Sequence, residues 1–238
     1  MRFTLLFLLF FGCSFGQQNP IKIIIDSISE QNYIKEKIFI VHYEIKNISN
    51  HPVTFLFDNS ESPIQEITTN RIGYTIVDEN ESIVRINFLN NDSYSGIPKL
   101  YKELKNVNSK IEIQNILKKK EYREYPIDSN QIYLKFGDKF LSKNEKDSIS
   151  KIVVEQQLKS LKPNENLIGT IKLHWNKTRY YKIDDLEYYI DEIKPMYIYL
   201  ALLTSKYDYY QIKNSTIKTE EFFDSVSFSE KVEINFKD

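Results

Sequence analysis

Three histidines and one cysteine are the side chains best suited to nucleophilic, proton-transfer or metal chemistry in this 238-residue chain. His42 lies within Ile38-Phe-Ile-Val-His-Tyr-Glu-Ile-Lys46. It is in phase with Glu44 and Lys46 and out of phase with Phe39, Val41, Tyr43 and Ile45. His51 sits in the turn Asn47-Ile-Ser-Asn-His-Pro52, and His174 precedes Trp175 on the polar phase of its own run. None has a partner motif beside it, so each reads as a surface or hydrogen-bonded histidine. Gly-x-Ser-x-Gly is absent, and with it the nucleophile elbow; a Ser–His pair assembled in space stays open. His-Glu-x-x-His is absent too. Asn90-x-Asp92-x-Tyr94 starts like a calcium loop, but Gly96 falls one place late and Tyr101 stands where Glu is needed. Phosphate-cradling loops have no glycines to build them, with six in the whole chain. Asp184, Asp185 and Glu187 offer carboxylates, but adjacent acids in a turn are usually solvated, and glycoside chemistry needs two facing a cleft. The residues therefore assign no catalytic, cofactor-binding or metal site, and the chain reads as non-catalytic.

Export is written into the first residues. Arg2, the apolar run Phe3 to Phe11 and the small residues after it read as a secretory leader over 1–16, too short to span a bilayer. Ser14 and Gly16 stand three and one before Gln17, which suits release after Gly16. Gly12-Cys13 offers a lipid anchor at Cys13 as the alternative exit. A chain released after Gly16 has no cysteine, so neither disulfides nor thiolate metal sites are available to it. The formal net charge is −1, which gives no global field toward nucleic acid or membrane. Charge is uneven, with a net +4 over 99–124 and −6 over 184–238. Both read mainly as solvated faces and loops.

Strands must position most of these side chains. The stretch Ile21 to Phe57 organises the rest. Ile38 to Lys46 alternates with period two, Asn47 to Pro52 is turn chemistry, and Val53, Phe55 and Phe57 resume the alternation. Phe39, Val41, Tyr43 and Ile45 are expected in the core with Phe55 and Trp175. After the polar loop Asp58 to Asn70, Ile72, Tyr74 and Ile76, then Val84, Ile86 and Phe88, predict a hairpin around Asp78 to Glu81. From Pro98 the period changes. Leu100, Leu104, Val107 and Ile111 predict one helical face, continued by Ile113, Ile116 and Leu117 and ended by Tyr122 to Pro126. Ile132 to Phe136 and Phe140-Leu141 read as short strands around Gly137-Asp138. Ser142-x-x-Glu145 is a capping box before Ile149, Ile152 and Val153. Ile152 to Leu161 stays open between helix and strand. Leu167, Gly169, Ile171, Leu173 and Trp175 alternate as a strand, Tyr180 to Ile183 comes next as another, and Asp184 to Ile190 reads as one helical turn. Met196 to Leu203 with Tyr207 to Ile212 predict a strand pair, and Val226 to Ser229 and Lys231 to Phe236 close the chain.

Three groups of residues carry a resemblance: Tyr43-x-Ile-x-Asn47-x-Ser-x-x-Pro-Val53, Leu161-x-Pro-Asn-Glu-x-x-x-Gly169, and Ser229-Glu-Lys-Val-Glu-Ile-Asn-Phe236. Together they resemble exported bacterial proteins built on an immunoglobulin-like sandwich, most of them without an assigned activity. The resemblance covers both ends of the chain and not 97–150. It implies a mainly β, immunoglobulin-like antiparallel β-sandwich over 17–238, with a helical insertion at about 97–150 and an envelope, periplasmic or extracellular location. In such a protein the five Asn-x-Ser/Thr matches read as chance. Fold alone implies no mechanism. The expected function is a non-catalytic interaction or structural module with an envelope or extracellular protein partner and no nucleic acid. The insertion is expected to carry its specificity, and its Lys118-Lys-Lys120 run could meet an acidic partner. Two alternatives have signatures of their own. A protease-inhibitor-like module would present a rigid loop, such as Asp58 to Asn70. A carbohydrate-binding module would align several of the seventeen tyrosines on one face. A secreted hydrolase, a more distant alternative, would place a histidine beside a serine or an acid in a cleft.

Overall fold

Six side chains of β2 (Glu36–Asn47) alternate into the core: Lys37, Phe39, Val41, Tyr43, Ile45 and Asn47. The computed structural model describes residues 19–59, 65, 67, 69–86, 88–89, 96–122, 127–177, 181–183, 186–188, 194–206 and 222–237. Residues 1–18 with Cys13, residues 90–95, Asp184, Asp185 and Tyr207 to Ile212 lie outside the described residues, as do most of those between Asn59 and Thr69. Strand outweighs helix, and the sheets are antiparallel.

The first sheet runs β1-β2-β8-β6. β1 (Ile21–Asn32) pairs along the whole of β2, with a bulge at Asp26 between Ile25 and Ser27. β8 (Asn166–Asn176) pairs the other edge of β2, and β6 (Phe88–Leu89) adds two residues beside Trp175 and His174. Tyr43 faces Gly169 across the ladder, and a Cβ at Gly169 would lie 2.2 Å from the tyrosine ring. Glycine here therefore makes room for the ring, which covers the gap in the strand's side-chain row. The second sheet centres on β11 (Met196–Leu203), with β4 (Ile72–Asp78) along one edge. β12 (Val226–Phe228) and β13 (Val232–Ile234) lie one after the other along the other edge. Between them Ser229 exchanges bonds with Leu200. Its N–H donates to the Leu200 carbonyl, and its hydroxyl oxygen accepts the Leu200 N–H. Smaller sheets join β5 (Val84–Ile86), β9 (Tyr181–Ile183) and β10 (Leu186–Tyr188), and β3 (Val53–Leu56) with β7 (Leu158–Leu161). All of them feed one apolar core, in which Phe236 packs edge-on against Phe39 and Trp175 at 4.9 and 5.0 Å.

Several elements depart from the sequence expectations. The turn after β4 forms as expected, with the Asp78 carboxylate accepting from the N–H of Asn80 and Ser82. The hairpin does not continue past one bridge, Val77 to Ile83, because β4 pairs β11 and β5 pairs β9. The single helix predicted from Pro98 is two: α1 (Gly96–Leu104) and α2 (Lys110–Leu117). Ser109 caps the second by accepting from Glu112 N, and Val107 fills the core from the bend between them. Ile111 is exposed rather than on the buried stripe. Ile132 to Phe136 is helical, within α3 (Ser129–Phe136), because Asp128 caps it. Gly137–Lys139 then winds as a 3₁₀ turn. The capping box opens α4 (Lys143–Gln157) as expected, and the chain turns from helix to strand at Leu158. Around Leu186 the chain is strand β10, not a helical turn.

Candidate functional site

Each histidine is placed by its strand. β2 and β8 turn Glu36, Ile38, Ile40, His42, Glu44 and Lys46, with Ile168, Thr170, Lys172 and His174, to the face opposite the core. His174 donates from Nδ1 to the Glu36 carboxylate at 2.5 Å, and both are partly exposed. His42 lies 3.3 Å from the Thr170 hydroxyl. His51 donates from Nδ1 to its neighbour's carbonyl, Pro52 O, at 3.1 Å. The register separates the His174 and His42 positions by four residues, about 13 Å along the ladder. They form no common centre. Glu36–His174 is an acid–base pair that sequence spacing could not show, since its members are 138 positions apart. No hydroxyl bonds this imidazole among the described residues. Among the same residues no group of three metal-ligating side chains converges. Glu187 pairs with Lys182 at 3.0 Å on the exposed side of the β9–β10 hairpin.

Lys37 is a buried charge, its side chain 1% exposed. Its ammonium donates to Glu30 at 2.8 Å and to the carbonyls of Asn235 and Lys237 at 2.6 and 2.7 Å. Three donors meet three acceptors, which is what a buried ammonium requires. At the other end of the same stripe, Asn47 donates to His51 O and Leu161 O while its Oδ1 accepts from Ser49. Polar groups thus close both ends of the buried row of β2.

The helices form a second body of side chains. Leu100, Leu104, Val107, Ile113, Tyr122 and Ile132 make one cluster, and Leu141, Ile149 and Val153 another. Both are distinct from the strand core. Asp58 joins the two parts: its carboxylate accepts from Gln131 and Gln157 at 3.2 and 3.1 Å, and Phe57 N donates to Gln157 O. On the helical surface Lys119 reaches Glu103 and Lys99 reaches Glu121. The Tyr122 hydroxyl also donates to Glu103; burial and that carboxylate push the phenol well above its ordinary range. Lys119, the middle residue of the basic run, is therefore paired with an acid of its own unit. Lys110, followed by Ser142, holds the Glu145 carboxyl down to about 2.

The chain matches no protein-family model, no curated protein and no solved structure.

Proposed function

We propose that this chain is an exported, non-catalytic interaction module, an immunoglobulin-like sandwich that displays a helical unit near 97–150. The residues behind the resemblance support the fold reading by meeting in space. Tyr43 covers Gly169, Asn47 bonds Leu161, and Asn164 N donates to Asn47 O. The observation that carries the function is the helical unit's separate core. A segment that closes its own apolar clusters is not needed to fill the core beneath it, and rigid scaffolds commonly hold recognition segments in this way.

Replacing Lys99 to Lys146 by a short Gly-Ser linker tests the reading. The expected variant keeps a cooperative melt and loses a partner captured from the organism's envelope by the unaltered chain. A folded variant that still captures that partner overturns the assignment to the helices. A variant that fails to fold shows that the segment belongs to the main core. Intact mass of the exported protein tests the route: a chain beginning at Gln17 is expected, and an acylated Cys13 would replace it with a lipoprotein.

A further inference from the structure

The β1–β2 hairpin ends in Tyr33-Ile34-Lys35, and Ile34 is 96% exposed, the highest value among the large apolar residues described. Tyr33 beside it is 54% exposed. Turns favour Gly, Asn, Asp, Ser or Pro for backbone reasons. A β-branched apolar residue at this tip serves neither the turn nor the core. The tip is nonetheless held in place. Tyr33 N donates to Glu36 O at 2.8 Å, and Lys177 N donates to Lys35 O at 3.2 Å. Lys37 ties the base of the hairpin to Glu30 and to the closing segment of the chain. Lys35 and Lys237, both exposed, lie at this same end. Among the described residues, the acids Glu30 and Glu36 at this end are engaged by Lys37 and His174.

We infer that the Tyr33-Ile34-Lys35 tip is a membrane-contact element for a bilayer with anionic headgroups. Ile34 enters the apolar boundary, Tyr33 lies at the interface, and the lysines meet the headgroups. Size decides against a protein pocket as the occupant. Stable protein interfaces bury about 800 Å² per partner, far more than three side chains on a turn supply. A bilayer takes inserted side chains one at a time, and binding through so small a tip is reversible.

The exported form beginning at Gln17 is suited to the test, because it lacks the apolar leader and Cys13. It should float with vesicles of equal parts phosphatidylglycerol and phosphatidylethanolamine, and not with phosphatidylcholine alone. Ile34→Asp should lower the bound fraction about tenfold, and its exposure removes any conflict with folding. Ile34→Trp should show a blue-shifted emission on binding, since the chain's one native tryptophan, Trp175, is buried. Failure of the unaltered chain to float overturns the inference. Equal flotation of Ile34→Asp, or an unmoved Ile34→Trp emission with vesicles bound, overturns it by placing the contact elsewhere. Equal flotation with phosphatidylcholine alone overturns the assignment to anionic headgroups.

Discussion

Tyr43 shares the buried face of β2 with Phe39 and Val41, and burial pushes its phenol up to about 12. Tyr74 on β4 is raised further by the same cause. A phenol whose folded value lies above its unfolded value of about 10 contributes stability fully below pH 10 and loses it as pH rises through the folded value. For Tyr43 the loss falls between pH 10 and about 12 and is on the order of 2–3 kcal/mol. Melting temperature should therefore fall steeply over that window while tyrosinate absorbance rises together with unfolding. Tyr43→Phe should make the fall shallower; an unchanged slope would remove Tyr43 from the explanation. The burial of Tyr43 was legible from period-two alternation. That of Lys37 was equally present in the phase, since it has the parity of Phe39 and Val41, but an ammonium in that row suggests a strand end rather than a core. Its three acceptors come from a preceding strand and from the far end of the chain, so only the folded arrangement explains it. The same holds for Glu36 beside His174.

Among elements, the closing segment depends on β2. Val232–Ile234 is a short strand with three register pairs to β11, too few to hold by ladder bonds alone. The Lys37 ammonium and the ring packing of Phe236 anchor residues 235–237 beyond it. Lys37→Met would leave the Glu30 carboxylate and two carbonyls without their cation, and should cost about 1–3 kcal/mol. Amide exchange should rise first at 232–237. A variant with native melting and unchanged protection there would show that Phe236 alone suffices. Alternation revealed β2 and β8 because each has one wet face. It was less useful for β3 and β4, whose described side chains are buried on both faces. The helical reading erred where a short-range pattern imitated another period. Val107 extends the stripe of α1 through a bend, and Ile132, Leu134 and Phe136 alternate for five residues inside a helix whose cap, Asp128, decides the matter.

At the scale of the molecule, the change of period near residue 98 marks a real change of architecture, from strands sharing one core to helices with apolar clusters of their own. The sequence could show where that change begins but not the clasp at Asp58, because Gln131 and Gln157 converge on it from 73 and 99 residues away. A different long-range relation arises from β1. Its twelve residues put the tip of the hairpin about 40 Å from the strand's first residue, Ile21. The hairpin is thus a spacer as well as a pair of core strands. A chain tethered on its N-terminal side and standing upright would carry Ile34 that far from its own tether, toward whatever surface lies opposite. A chain released from the tether would be free to turn the same tip toward either surface.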